Sequence, residues 1–146
     1  MPAKTFLRST PTWSALFACV GFSVPTLAQQ GSTTVERNAK GLTAKNIQVG
    51  LYINVRPDCT SGPLPTIRLV YPPANGTVTI RRGKVNATNY KQCLALEVPG
   101  FVAFYRSKVD FTGTDVTIIE VKYPQGRTEV QRITITIGAG TGGQKI

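Results

Sequence analysis

The chain has 146 residues with 17 Lys+Arg against 7 Asp+Glu and no histidine, a formal net charge of +10. That length leaves room for one folded domain, and the 41% hydrophobic and 16% charged content excludes wholesale disorder. Without histidine neither a Ser/His nor a Cys/His nucleophile pair can be assembled, and three cysteines cannot complete an ordinary four-ligand zinc site.

The first 28 residues have the three-part pattern of an export signal. Lys4 and Arg8 form a charged start, Trp13 to Val24 is mostly apolar, and Pro25-Thr26-Leu27-Ala28 places small residues at the third and first positions before a cut, so cleavage is predicted before Gln29. A membrane anchor needs about 20 consecutive apolar residues, and Pro11, Ser14, Ser23 and Pro25 interrupt the run. Leu16-Phe17-Ala18-Cys19 also resembles a lipoprotein box, with Cys19 as the lipidated residue, but Phe17 is bulky for that site. The destination expected is the periplasm or the medium, with no transmembrane span in the mature chain.

Export removes Cys19 and leaves Cys59 and Cys93. In an oxidising compartment an even pair reads as a disulfide, closing a loop of 34 residues. Loop-closure entropy assigns such a bridge roughly 3 to 4 kcal/mol. The mature chain keeps 15 basic and 7 acidic residues, a charge of +8, which attracts polyanions such as lipopolysaccharide, teichoic acids or anionic headgroups and also keeps a small domain soluble.

Residues 29–45 are polar without apolar periodicity and read as a flexible leader. The domain is predicted over 46–137, and 138–146, with four glycines, reads as a flexible tail. Within the domain the period is two. Ile47, Val49, Leu51, Ile53 and Val55 form one stripe; Ile67, Leu69 and Tyr71, then Val78 and Ile80, then Leu94, Leu96 and Val98 repeat it. Phe101 to Val109 is a further strand whose inward face is open between Phe101/Ala103/Tyr105 and Val102/Phe104. Val116 to Tyr123 and Thr128 to Ile137 flank Pro124-Gln125-Gly126-Arg127 as a hairpin. Their apolar sets shift register, from Val116/Ile118 to Ile119/Val121 and between Val130 and Ile133, which predicts a β-bulge in each arm. No ten-residue helix is signalled, and about seven or eight strands between Pro/Gly turns predict an all-β sandwich.

Tyr71-Pro72-Pro73-Ala74-Asn75-Gly76-Thr77-Val78-Thr79-Ile80, then Val102-Ala103-Phe104-Tyr105, then Asp110-Phe111-Thr112-Gly113-Thr114-Asp115 and the closing hairpin resemble the bacterial Ig-like and cadherin-like modules of secreted and surface proteins. The resemblance covers residues 67–137 and implies an Ig-like β-sandwich of about seven strands, with Gly113 and Asp115 at a structural corner. The chain departs from the pattern in carrying Ile119 where the family has an aromatic, in lacking an Asp-x-x-Gly ending to the hairpin turn, and in its cysteine pair. Acidic ligands for cadherin-type calcium sites are scarce.

The seven carboxylates offer Asp110 and Asp115 as a pair for acid/base work, but Asp115 at a corner reads as a turn cap that accepts backbone N–H bonds. No enzyme, metal or cofactor is expected. Arg81, Arg82 and Lys84 surround Gly83, with Lys91 and Tyr90 beyond; if Arg82-Gly83 is a hairpin tip, three cations project from one edge as a candidate anion-binding site. The competing reading is a solvated turn whose charges deter edge pairing. Asn75-Gly76-Thr77 and Asn86-Ala87-Thr88 match the N-glycosylation triplet, which matters only in a host with that pathway. The function expected is a non-enzymatic exported module of the cell envelope that binds a polyanion or a protein, nucleic acid not being the partner expected. The alternative is a secreted inhibitor or effector that docks through the loop Pro57 to Pro65.

Overall fold

The computed structural model describes residues 31–87, 93 and 96–140; the predicted export signal, Lys91, Tyr90, Leu94 and the end of the tail lie outside them. Seven strands follow one another: β1 (Ser32–Leu42), β2 (Asn46–Ile53), β3 (Thr66–Tyr71), β4 (Gly76–Ala87), β5 (Leu96–Ser107), β6 (Gly113–Lys122) and β7 (Thr128–Gly138). They form a four-stranded sheet, ordered β1-β7-β6-β3, and a three-stranded sheet, ordered β2-β5-β4. Taken as strands A to G, β7-β6-β3 and β2-β5-β4 reproduce the G-F-C and B-E-D orders of the immunoglobulin sandwich. Here β1 lies on the β7 edge and runs parallel to it. The fold is therefore an all-β, Ig-like sandwich carrying one disulfide.

Residues 32–42, read from sequence as a loose leader, are β1, paired with β7 from Ser32 opposite Thr128 to Leu42 opposite Gly138. The signal was absent because β1 buries none of its residues fully. Its main chain, and not an apolar stripe, holds it to the sheet. The connection to β2 is short, with Ala44 at φ 57° and its N–H donating to the buried Ser107 hydroxyl at 2.9 Å.

Alternation along β2 fails after Val49. The register slips between Gln48 and Gly50, so Ile47, Val49 and Tyr52 are buried while Leu51 is 41% exposed. Gly50 is required here because a Cβ would collide with the Tyr52 ring. The segments predicted around Leu96 and Phe101 are one strand, β5, in which Ala103 and Tyr105 are fully buried and Phe101 packs against the core. That settles the open face of this strand: Val102 and Phe104 point outward.

The bulges predicted for the last hairpin do not occur. β6 and β7 pair without interruption from Gly113 opposite Ile137 to Lys122 opposite Thr128. The apparent shift arises because inward positions hold the polar Asp115, Thr117 and Gln131. Half-buried Val116, Ile118 and Val130 lie on the outer face. The turn closes as expected, with the Gly126 N–H donating to the Tyr123 carbonyl at 2.9 Å and Gly126 at φ 88°.

The core fills the space between the sheets. Ile47, Val49, Tyr52, Ala103 and Tyr105 from one meet Ile119, Val121, Ile133, Ile135 and Ile137 from the other. A second apolar cluster joins Val55, Cys93 and Val98 to Ile53, Cys59, Val85 and Leu96. Ile53 and Val85 flank Gly100, where a Cβ would press on both, and Ile53 adjoins the inward Tyr52. By alternation this cluster lies on the outer face of the three-stranded sheet. The Cys59–Cys93 bond, with Cα atoms 5.5 Å apart, pins loop chain over one end of that face.

Candidate functional site

Outward positions of the three-stranded sheet are set by register. Thr77, Thr79 and Arg81 on β4 alternate with the inward Val78 and Ile80, and Thr77 stands opposite Arg106, Thr79 opposite Phe104 and Arg81 opposite Val102. On the other side of β5, Asn46 and Gln48 stand opposite Arg106 and Phe104. Together Arg81, Arg106 and Lys108, with Thr77, Thr79 and Phe104, line an open groove of about 370 Å³. The disulfide-pinned cluster occupies the far end of the same face.

The electrostatics distinguish this face from its counterpart. On the four-stranded sheet Glu120 lies 3.2 Å from Arg68 and 3.6 Å from Lys122, and Arg132 lies 3.6 Å from Glu36. The Arg68 hydrogen bond holds the Glu120 carboxyl below its usual range. In contrast, among the described residues no aspartate or glutamate lines the groove, and Arg81 and Arg106 make no salt bridge. Lys108 Nζ donates to the Ala74 carbonyl at 3.3 Å, which fixes its stem and leaves its charge uncompensated by a carboxylate. Three cations beside an aromatic ring and two hydroxyls can bind an anion whose body has an apolar face.

The cluster expected from sequence is thereby rearranged. Arg82-Gly83 is not a hairpin tip, since Gly83 sits within β4 opposite Gly100. Neighbouring residues on a strand face opposite ways, so Arg81 joins the groove. Arg82 instead lines a second depression, of about 570 Å³, with Leu64, Pro65, Ile67, Ile80 and Phe101. Lys84 lies 3.7 Å from Glu97 on an exposed edge. Sequence reading missed Arg106 and Lys108. The alternation Phe104-x-Arg106 carried the signal, but only the β4–β5 register puts Arg106 beside Arg81's face.

Asp115 is buried and accepts from the Ala74 N–H at 3.1 Å, the Asn75 N–H at 2.8 Å, the Tyr105 hydroxyl at 2.9 Å and its neighbour Val116 N–H at 2.9 Å. Gly113, at φ 124°, reverses the chain into β6 in a conformation that suits glycine. The pair ties the β3–β4 connection to the core strands, and its carboxylate is fully engaged within the protein. Asn75, the first residue of one glycosylation triplet, belongs to this corner.

Comparison of the chain with protein-family models, with curated proteins and with solved structures finds no match.

Proposed function

We propose that this protein is an exported, non-enzymatic Ig-like module of the cell envelope that binds an anionic envelope component through the outer face of its three-stranded sheet. The observation that carries the reading is the asymmetry between the two outer faces. Arg68, Lys122 and Arg132 on one are paired with Glu36 and Glu120, whereas Arg81, Arg106 and Lys108 converge on a groove that, among the described residues, no carboxylate lines. The strand order is compatible with the Ig-like modules that residues 67–137 resemble in sequence. The Cys59–Cys93 bond supports a destination in the periplasm or the medium, where disulfides persist.

The test is co-sedimentation of the oxidised protein with lipopolysaccharide across a salt series. Binding that weakens as salt rises and is lost in Arg81→Ala/Arg106→Ala but kept in Arg82→Ala/Lys84→Ala supports the reading. Equal retention of both double variants removes it.

A second reading rests on the loop between β2 and β3. The Arg56 N–H donates to the Thr60 carbonyl at 2.8 Å, the Gly62 N–H to the Asn54 carbonyl at 2.8 Å, and Asn54 Nδ2 to the Pro63 carbonyl at 2.8 Å. A loop held this firmly, and anchored by Cys59, loses little entropy on docking, as an inhibitor of an enzyme requires. Loss of partner binding in Pro63→Ala/Leu64→Ala, with Arg81→Ala/Arg106→Ala unaffected, would favour it.

A further inference from the structure

Building on the reading of the outer face as an anion site, we infer that the unit it recognises is a sugar ring bearing a phosphate at each end. Arg81 lies opposite Val102, and Arg106 is four residues further along β5, so the two side chains start about 13 Å apart along the strand direction. Phe104 lies midway, opposite Thr79, and lines the groove. An anion at the centre would lie against the Phe104 ring, which offers it no polar hydrogen-bond donor. The same ring suits the apolar C–H face of a sugar, and the Thr77 and Thr79 hydroxyls suit its hydroxyl groups. Anionic groups are accommodated on either side, one at Arg81 and one at Arg106 with Lys108. A groove of about 370 Å³ is at the small end for ligand sites, which fits one such unit of a larger molecule.

The test is calorimetric titration of the oxidised protein at low salt with glucose 1,6-bisphosphate, glucose 6-phosphate and pyrophosphate. The bisphosphate is expected to bind tighter than the monophosphate by about tenfold, the factor of one charge-assisted hydrogen bond. Arg81→Ala and Arg106→Ala each reduce it to the monophosphate level. Phe104→Ala weakens both sugars and leaves pyrophosphate unchanged; circular dichroism checks that each variant is folded. Pyrophosphate binding as tightly as the bisphosphate, with Phe104→Ala silent, would overturn the sugar assignment while leaving the anion site standing. No binding of any of the three, together with no retention on lipopolysaccharide, would remove both. Two sources supply this chemistry. Retention on vesicles bearing a lipid-linked sugar bisphosphate, above that on phosphatidylglycerol vesicles, assigns it to a membrane lipid, and retention only by a soluble sugar-phosphate polymer assigns it to a wall polymer. Retention by neither counts against the inference.

Discussion

The Tyr52 hydroxyl donates to Gln131 Oε1 at 3.0 Å, joining β2 of one sheet to β7 of the other through the interior. Gln131 is completely buried, and its Nε2 donates in turn to Glu129 at 3.0 Å. A polar link of this kind helps fix how the sheets sit on one another, because each buried polar atom must keep its partner; the Tyr105–Asp115 bond is a second. Tyr52→Phe strands the Gln131 oxygen and is expected to cost about 1 to 3 kcal/mol in urea unfolding. Combining it with Gln131→Leu should recover part of that loss, and strictly additive effects would show that the bond carries no coupling.

Burial also raises the Tyr52 pKa to about 12 and raises those of Tyr105 and Tyr123, for which burial is again the main cause. Each folded-state value lies above the ordinary 10.0, so the folded protein holds protons that the unfolded chain releases. Stability from this source is complete below about pH 10 and falls as pH rises towards 12 and beyond. Thermal unfolding followed between pH 8 and 12 should show the midpoint dropping only in the alkaline half, and Tyr52→Phe should flatten the fall. A midpoint that is level up to pH 12 would exclude this contribution.

Asp115 collects four donors at one corner. Asp115→Ala leaves the Tyr105 hydroxyl and two turn amides unpartnered, and is expected to cost at least about 3 kcal/mol. Asp115→Asn should cost less but not be neutral, since its NH2 group brings donors to a place already filled with them. The measurement is the denaturation midpoint of each variant.

The Cys59–Cys93 bond closes a 34-residue separation and should contribute roughly 3 to 4 kcal/mol through the unfolded state. Reduction, or Cys59→Ser/Cys93→Ser, is expected to lower the unfolding free energy by that amount. Because the second apolar cluster lies directly at the bond, amide exchange should rise first around Val55, Val85 and Val98 and last at Ile119 and Ile133. Uniform acceleration would show that the two clusters unfold as one.

The sandwich was legible in sequence because burial on one face writes a period of two, as in Ile67, Val78/Ile80 and Ile133/Ile135/Ile137. Legibility failed where another force sets the strand. β1 is held by main-chain pairing and leaves no stripe. In β2 the slip at Gly50 exchanges Leu51 for Tyr52 as the inward residue, and a glycine gives little notice of it. In β6 and β7 the inward Thr117 and Gln131 imitate bulges that are absent. The site is half legible: Arg81 stands out in the sequence, but it reads as one cluster with Arg82, although a strand sends the two to opposite sides. The partners that matter, Arg106 and Phe104, are contributed by another strand and are found only through register.

The direct test of the outer face is chemical-shift mapping of the labelled oxidised protein titrated with a soluble sugar bisphosphate. Perturbed amides are expected to cluster at Thr77, Thr79, Arg81, Phe104 and Arg106. Perturbation centred instead on the segment from Pro57 to Pro65, with those five residues unmoved, would contradict the assignment of the site.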